Sequence, residues 1–440
     1  MAVKGNRLDV RKTSASTPTL NASTSASSIA RVSSQGSLGT SQREIDVATK
    51  WDQDAYGEDV LGEDNLLDDN KHKRSAAYDI EAKRSALGIS LGARKRRGGK
   101  RICWTFVLPT FVCICLLSVG ILIGYNISSG VKQVTPYMDA MASEEYGTRF
   151  LVVGDWGRQG MHNQADVAMQ MGLVGEVLRP QFVVSTGDNF YPSGLKSAND
   201  SLFLESFTDV YSGPSLQVDW YSILGNHDYG DASALGDTAT RPSFQTTDQT
   251  RGKDSRWICC GGREFRKQST DLVDMFFIDT TPFVEKYYET AWANVEGGLV
   301  DEKAKRGEQI SNFNADLVKS QARWKIVFGH HPVRSNGSHG DTKELVELLS
   351  GTLRGNGVDM YINGHDHILQ DIPDKENPSL HYITSGAGSK IRLGLGACCN
   401  DKDFYAAKAG FIAVALSDTR ARIQFWHYDA TLAHETVLIK

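Results

Sequence analysis

The chain has seven cysteines among 440 residues and not one Cys-x-x-Cys pair, which argues against a zinc-finger type of metal site. It has no excess of positive charge either, with 48 Lys and Arg against 53 Asp and Glu. The shortage is uneven. Residues 1–101 hold 18 Lys/Arg against 13 Asp/Glu, and the remainder holds 30 against 40. So acidic a body excludes nucleic acid as its main partner, because a phosphate backbone needs a positive surface. Small phosphorylated substrates remain open to it, since bound cations can supply local positive charge. Residues 13–41 lack aromatic residues and any sustained apolar period. A Ser/Thr/Ala-rich stretch of this kind cannot repay the entropy of ordering, so disorder is expected there.

Residues 102–125 lack charge altogether. At 1.5 Å rise they span roughly 36 Å, enough for a bilayer core of about 30 Å. Arg94, Lys95, Arg96, Arg97, Lys100 and Arg101 precede them and no basic cluster follows, which predicts a single-pass signal anchor with a cytoplasmic N-terminus. The expected organisation is a cytoplasmic tail over 1–101, a transmembrane helix over 102–125, a stalk over 126–147 and a lumenal or extracellular catalytic body over 148–440. Cell surface, lysosome or vacuole, and secretory pathway all remain open. Ser14, Ser33, Ser34 and Leu66-Leu67 offer the tail kinase or sorting partners. In an oxidising lumen, Cys259-Cys260 and Cys398-Cys399 are expected to cross-link pair to pair, and Asn126 and Asn336 head glycosylation sequons.

From residue 148 onward, strand-like runs alternate with helix-like ones. The helix-like stretches cover Met161 to Pro180 and Thr342 to Leu349. This predicts an α/β layered sandwich, with central mixed β-sheets flanked by helices. Apolar runs end on polar motifs again and again: FLVVGD at Asp155, FVVSTGDNFY at Asp188 and Tyr191, LGNHD at Asn226 and His227, FGHHP at His330 and His331, and NGHDH at His365 and His367, with His339 following His331. Carboxylate, phenol, amide and imidazole groups delivered to strand ends suit a metal centre. One carboxylate can bridge two ions, and Asp188 is central among the motifs. Hard phenolate and carboxylate donors suit a ferric ion; imidazoles with an amide oxygen suit a borderline divalent one. Asp155, Tyr191 and His367 with shared Asp188 therefore form one site, and Asn226, His330 and His365 with the same Asp188 form the other.

These motifs resemble those of the calcineurin-like metallophosphoesterases and, through the tyrosine of GDNFY, the purple acid phosphatases. The spacing is similar to the small, mammalian-type tartrate-resistant enzymes over roughly residues 149–440. The resemblance implies an acid phosphatase that hydrolyses phosphomonoesters, small molecules or phosphoproteins, by attack of a metal-activated hydroxide at a centre of Fe(III) plus Fe(II), Zn or Mn. It implies catalytic roles for His227, as a contact to the substrate phosphate, and His339, as an aid to leaving-group protonation. His331 receives no catalytic role. Asp366 either orients a histidine ligand or lies on the solvated surface. Residues 281–319 form either a lid or cleavage site over the centre, or an ordinary surface helix. Two rival readings are a Mn- or Zn-dependent phosphodiesterase or nucleotide phosphatase of the same superfamily, and a catalytically degenerate membrane receptor.

Overall fold

The structure is a computed structural model that describes Gly130, Val134 and residues 137–440 except 144, 231–240, 260–265, 270–271, 296 and 395–402. Two seven-stranded sheets make up the body. The first runs β14 (Leu432–Ile439), β13 (Arg420–His427), β12 (Gly410–Leu416), β1 (Thr148–Val153), β2 (Phe182–Ser185), β3 (Asp219–Ser222) and β4 (Trp257–Cys259). The second runs β11 (Phe404–Ala406), β9 (Leu369–Pro373), β10 (His381–Ser385), β8 (Met360–Asn363), β7 (Trp324–Phe328), β6 (Val273–Phe277) and β5 (Arg266–Ser269). Strands β1 to β4 are mutually parallel, as are β6, β7, β8 and β10; the C-terminal strands add on antiparallel. The mixed sandwich expected from the sequence is therefore what forms.

Period-2 alternation explains the layers. Phe150 and Val152 of β1 join a core with Met275, Ile326, Met360 and Ile412 between the sheets. Their neighbours Leu151 and Val153 face the opposite way, against Val167, Met171 and Val174 of the helix Gln164–Leu178. That helix ends at Arg179, whose left-handed φ of 56° closes its last turn just before Pro180. The helices Arg306–Lys319 and Lys343–Gly355 cover the other sheet through Phe313, Leu317, Leu345, Leu349 and Leu353.

Several expectations change here. Among the described residues no helix is long and apolar enough to cross a membrane. This corrects the single-pass anchor, the membrane partner and the type II topology; residues 102–125, on which that expectation falls, lie outside the described residues. So do the tail, with its kinase and sorting motifs, Asn126, and Cys260, Cys398 and Cys399 of the expected cross-links. The described end of the expected stalk lies against the body: Tyr137 meets Trp426 edge-on at 5.9 Å, and Tyr146 accepts from Arg422 Nε at 2.9 Å. Asn336 is buried, donating to Asp403 at 3.0 Å, so its amide has no room for a glycan.

Candidate metal centre

Every expected donor stands at or just past the C-terminal end of a strand. Sheet one supplies Asp155 after β1, Asp188 and Tyr191 after β2, and Asn226 and His227 after β3; sheet two supplies His330 after β7 and His365 and His367 after β8. Three of them sit in the left-handed region, with φ of 59° at Asp155, 51° at Asp188 and 67° at His365. Non-glycine residues are held there at a cost of about 1–3 kcal/mol each, and such strain gathers at functional sites. The preceding glycines leave the space. A Cβ on Gly225 would collide with Asp188 Oδ1, and one on Gly364 with Asp155 Oδ2.

Several of the expected side chains come together. The Tyr191 hydroxyl lies 3.2 Å from Asp155 Oδ1, 3.1 Å from Asp188 Oδ2 and 3.0 Å from His367 Nε2. His330 Nε2 lies 3.1 Å from Asn226 Oδ1 and 3.3 Å from Asp188 Oδ2. Two groups of ligand atoms lie within 4.8 Å of one another: Asp155 with Asp188 and His330, and His330 with His331 and His365. Nδ1 of His330 donates to the Thr186 carbonyl at 2.9 Å, which turns Nε2 toward Asn226 and Asp188. His227 is oriented in the same way: Nδ1 faces Pro192 O at 2.7 Å, and Nε2 comes within 4.0 Å of Asp188.

The donor chemistry fits bound cations. Asp155, Asp188 and Tyr191 are almost wholly buried, and their oxygens crowd together. Burial pushes the Asp155 carboxyl well up, with the Asp188 charge adding to it. Asp188 ionises against the cost of its own burial because the His330 and His227 imidazoles face it. Burial and both carboxylates push the Tyr191 phenol up. His330 is held at about 9, burial being outweighed by Asp188, whereas burial keeps His365 and His367 neutral, as ligands must be.

Several functional residues carry no signal in the motif spacing. Asp228 is buried and accepts from Asn189 N at 3.0 Å, Asn189 Nδ2 at 3.1 Å, Gly225 N at 2.9 Å and Gln245 Nε2 at 2.7 Å. It ties the Asp188 loop to the Asn226 loop. Arg158 lays its guanidinium 3.7 Å over the Tyr191 ring. Its Nε is buried with no hydrogen-bond partner among the described residues. His331 is not solvated: its ring nitrogens meet Thr280 Oγ1 and the Tyr287 hydroxyl, both at 2.9 Å, and the ring packs 4.4 Å from that of His365. Tyr287 belongs to the 281–319 stretch, which is packed in by Phe283, Val284 and Tyr287 and ends in the helix Arg306–Lys319. Asp366 does neither of the two things expected of it. It is buried and accepts from His339 N at 3.0 Å and from the Ser335 hydroxyl, holding the His339 loop. His339 stacks 4.4 Å from His365 and accepts on Nε2 from Arg392.

Comparison with known proteins agrees with this geometry. Residues 148–369 match the family model described as calcineurin-like phosphoesterase. Purple acid phosphatase 17 of Arabidopsis thaliana is 44% identical over 310 residues, covering 68% of this chain and 86% of that protein. Tartrate-resistant acid phosphatase type 5 of Homo sapiens is 31% identical over 254 residues, 55% of this chain and 73% of that one. Among solved structures, GAP50 of Plasmodium, described as the anchor in the inner membrane complex, superposes with a TM-score of 0.54 at 24% identity. The match covers 67% of this chain and 89% of that one, and it bears on the fold alone.

Proposed function

Since the chain belongs to the purple acid phosphatases, within the calcineurin-like phosphoesterases, we propose that its acid phosphatase activity runs at a ferric ion paired with Fe(II), Zn or Mn. Asp155, Tyr191 and His367 would hold the ferric ion, Asn226, His330 and His365 the divalent one, and Asp188 both. The observation that carries this reading is the Tyr191 hydroxyl within 3.2 Å of two carboxylates and a histidine, a donor set hard enough for iron(III).

The enzyme is a phosphomonoester hydrolase with a binuclear centre. When bound, the ions supply a hydroxide at acidic pH and neutralise phosphoryl charge. The protein supplies placement. Asp228 and Asn189 fix two donor loops against each other, and Thr186 and Pro192 set the imidazoles of His330 and His227. His227, next to Asp188 and 4.6 Å from the Tyr191 ring, would contact a phosphoryl oxygen of the substrate. His339 approaches the same centre over His365. With Arg392 donating to it, Nε2 of His339 carries no proton, so giving one to a leaving group requires that contact to open as substrate enters.

The test is metal analysis and visible absorption of residues 137–440, with aryl phosphate hydrolysis followed from pH 4 to 8. One iron and one further ion per chain, a visible band in the oxidised protein and an acidic optimum are expected. A colourless protein that hydrolyses phosphate esters with zinc or manganese alone would overturn the ferric assignment.

A further inference from the structure

His365 is held differently from its neighbour in the centre. The His330 imidazole is turned by its hydrogen bond to Thr186 O, whereas the His365 imidazole makes no hydrogen bond among the described residues. The His365 backbone N–H is tied to Asp155 at 3.0 Å, but the ring is placed by contact with other rings. His331 and His339 each lie 4.4 Å from it, centroid to centroid. His339 is exposed and His331 is buried. The rigid surface against which His365 rests is therefore His331.

His331 has every polar atom engaged. Its N–H donates to Thr280 Oγ1 at 3.0 Å, its carbonyl accepts from the Tyr361 hydroxyl at 2.8 Å, and its ring nitrogens meet Thr280 Oγ1 and the Tyr287 hydroxyl. An imidazole with one N–H and one lone pair matches two hydroxyls, each able to donate or accept. The anchors are fixed in turn. Thr280 lies just past β6, where Gln309 of the helix Arg306–Lys319 accepts from Asp279 N at 2.7 Å and donates to Asp279 O at 3.2 Å. Tyr287 sits in a small apolar core with Leu224, Tyr229 and Trp292. Strand β6 delivers none of the expected donors. Its continuation instead holds the ring on which one of them leans.

We propose that His331, locked by Thr280 and Tyr287, is a positioning residue that sets the plane of the His365 imidazole and thereby how tightly the divalent ion is held. The inference rests on the reading of His365 as a ligand of that ion. A ring left free to turn must be ordered when the ion binds, and partners behind a ligand are worth about 10–100-fold in metal affinity. Asp155, Tyr191 and His367 have neither a hydrogen bond nor a ring contact to His331 among the described residues. The effect is therefore confined to the divalent half of the centre.

The test uses the full chain as wild type, Tyr287→Phe, His331→Phe and the double variant. Each is loaded with iron, its visible band is recorded, and its zinc affinity is measured by competition with a chromophoric chelator. Tyr287→Phe keeps the ring and removes one hydroxyl; it should weaken zinc about tenfold with iron content and band unchanged. His331→Phe keeps a ring face and loses both hydrogen bonds, and should weaken zinc at least as much. In that background, removing the Tyr287 hydroxyl should cost nothing further, because the two residues act as one. Phe313→Leu, in the apolar layer beneath the helix Arg306–Lys319, is the structural control and should lower Tm without moving zinc affinity. Four results overturn the assignment: zinc affinity of Tyr287→Phe within about twofold of wild type, parallel loss of iron and zinc, a full Tyr287 effect in the His331→Phe background, or equal weakening by Phe313→Leu. A colourless wild type would remove the ferric reading alone, since the zinc comparison among variants would still stand. A wild type that binds no zinc would remove both.

Discussion

Replacing Asp228 by Ala removes the acceptor shared by four N–H donors. Asn189 Nδ2 alone has alternatives, bonding Ile223 O at 2.8 Å and Gln245 Oε1 at 3.2 Å. Gln245 Nε2 and the backbone N–H groups of Asn189 and Gly225 keep none among the described contacts. A buried, orphaned donor costs about 1–3 kcal/mol, so the three cost about 3–9 kcal/mol. For a body of this size that is a fall in Tm on the order of 5–15 °C. The damage is directional, because Asn189 adjoins Asp188 and Gly225 adjoins Asn226, one donor of each loop. Metal content should therefore fall together with Tm.

Burial, then the Asp188 charge, push the Asp228 carboxyl up to about 7 from its ordinary 3.8. In that interval the folded apoprotein holds a proton that the unfolded chain has released, so this group's contribution to stability declines as pH rises from about 4 to 7. The deficit of Asp228→Ala should thus be largest near pH 4–5 and smaller at pH 7. Thermal unfolding followed by circular dichroism, with and without metal, reads both effects. A variant within about 1 °C of wild type, fully metallated, would refute the bridging role.

In the iron-loaded protein, Tyr191→Phe should abolish the visible band and lower iron retention; an unchanged spectrum would remove Tyr191 from the centre. Arg158→Met should move that band to longer wavelength, because the cation 3.7 Å from the ring centroid holds the phenolate electrons down in energy; a stationary band would show that the stacking has no electronic effect. His330, held at about 9 in the metal-free protein, must lose a proton to coordinate. Apparent metal affinity should rise with pH, by up to about tenfold per unit below that value, and calorimetry in buffers of different ionisation heat would count the proton released. The same raised value means that the His330–Asp188 pair stabilises the apoprotein fully below pH 6.5 and ceases to do so as pH passes about 9. Gly225→Ala sets a Cβ against Asp188 Oδ1 and within 2.5 Å of Asp188 N, and should empty the centre of metal even where the chain still folds.

What the sequence discloses and what it hides divide along physical lines. Asp155, Asp188, Asn226, His330 and His365 are visible because each terminates a β-branched or aromatic run, and buried parallel strands write such runs plainly. β7 shows the same pattern, Trp324 to Phe328 being apolar at four of five positions. β9 (LQDIP) and β14 (LAHETVLI) carry no such signal, since polar residues interrupt them and antiparallel pairing with the adjoining strands β10 and β13 decides their state. Arg158, Asp228 and Arg392 escape for a different reason. Their importance lies in what they touch across 33 to 53 residues or in a single ring face, and charge in a loop ordinarily signifies solvent. The membrane anchor shows the opposite failure: a composition signal strong by itself, without any spanning helix among the described residues to match it.

The order of strands has a bearing on how the molecule is made. The last proposed metal donor, His367, is followed by more than seventy residues, and β12 is among them, lying directly beside β1, the strand that leads to Asp155. A ribosome that has just released residue 409 has therefore translated every donor while the innermost strand of the first sheet still has an open flank. Competence arrives with the carboxyl-terminal hairpins, and nonsense alleles far downstream of the chemistry would be as damaging as any lesion within it.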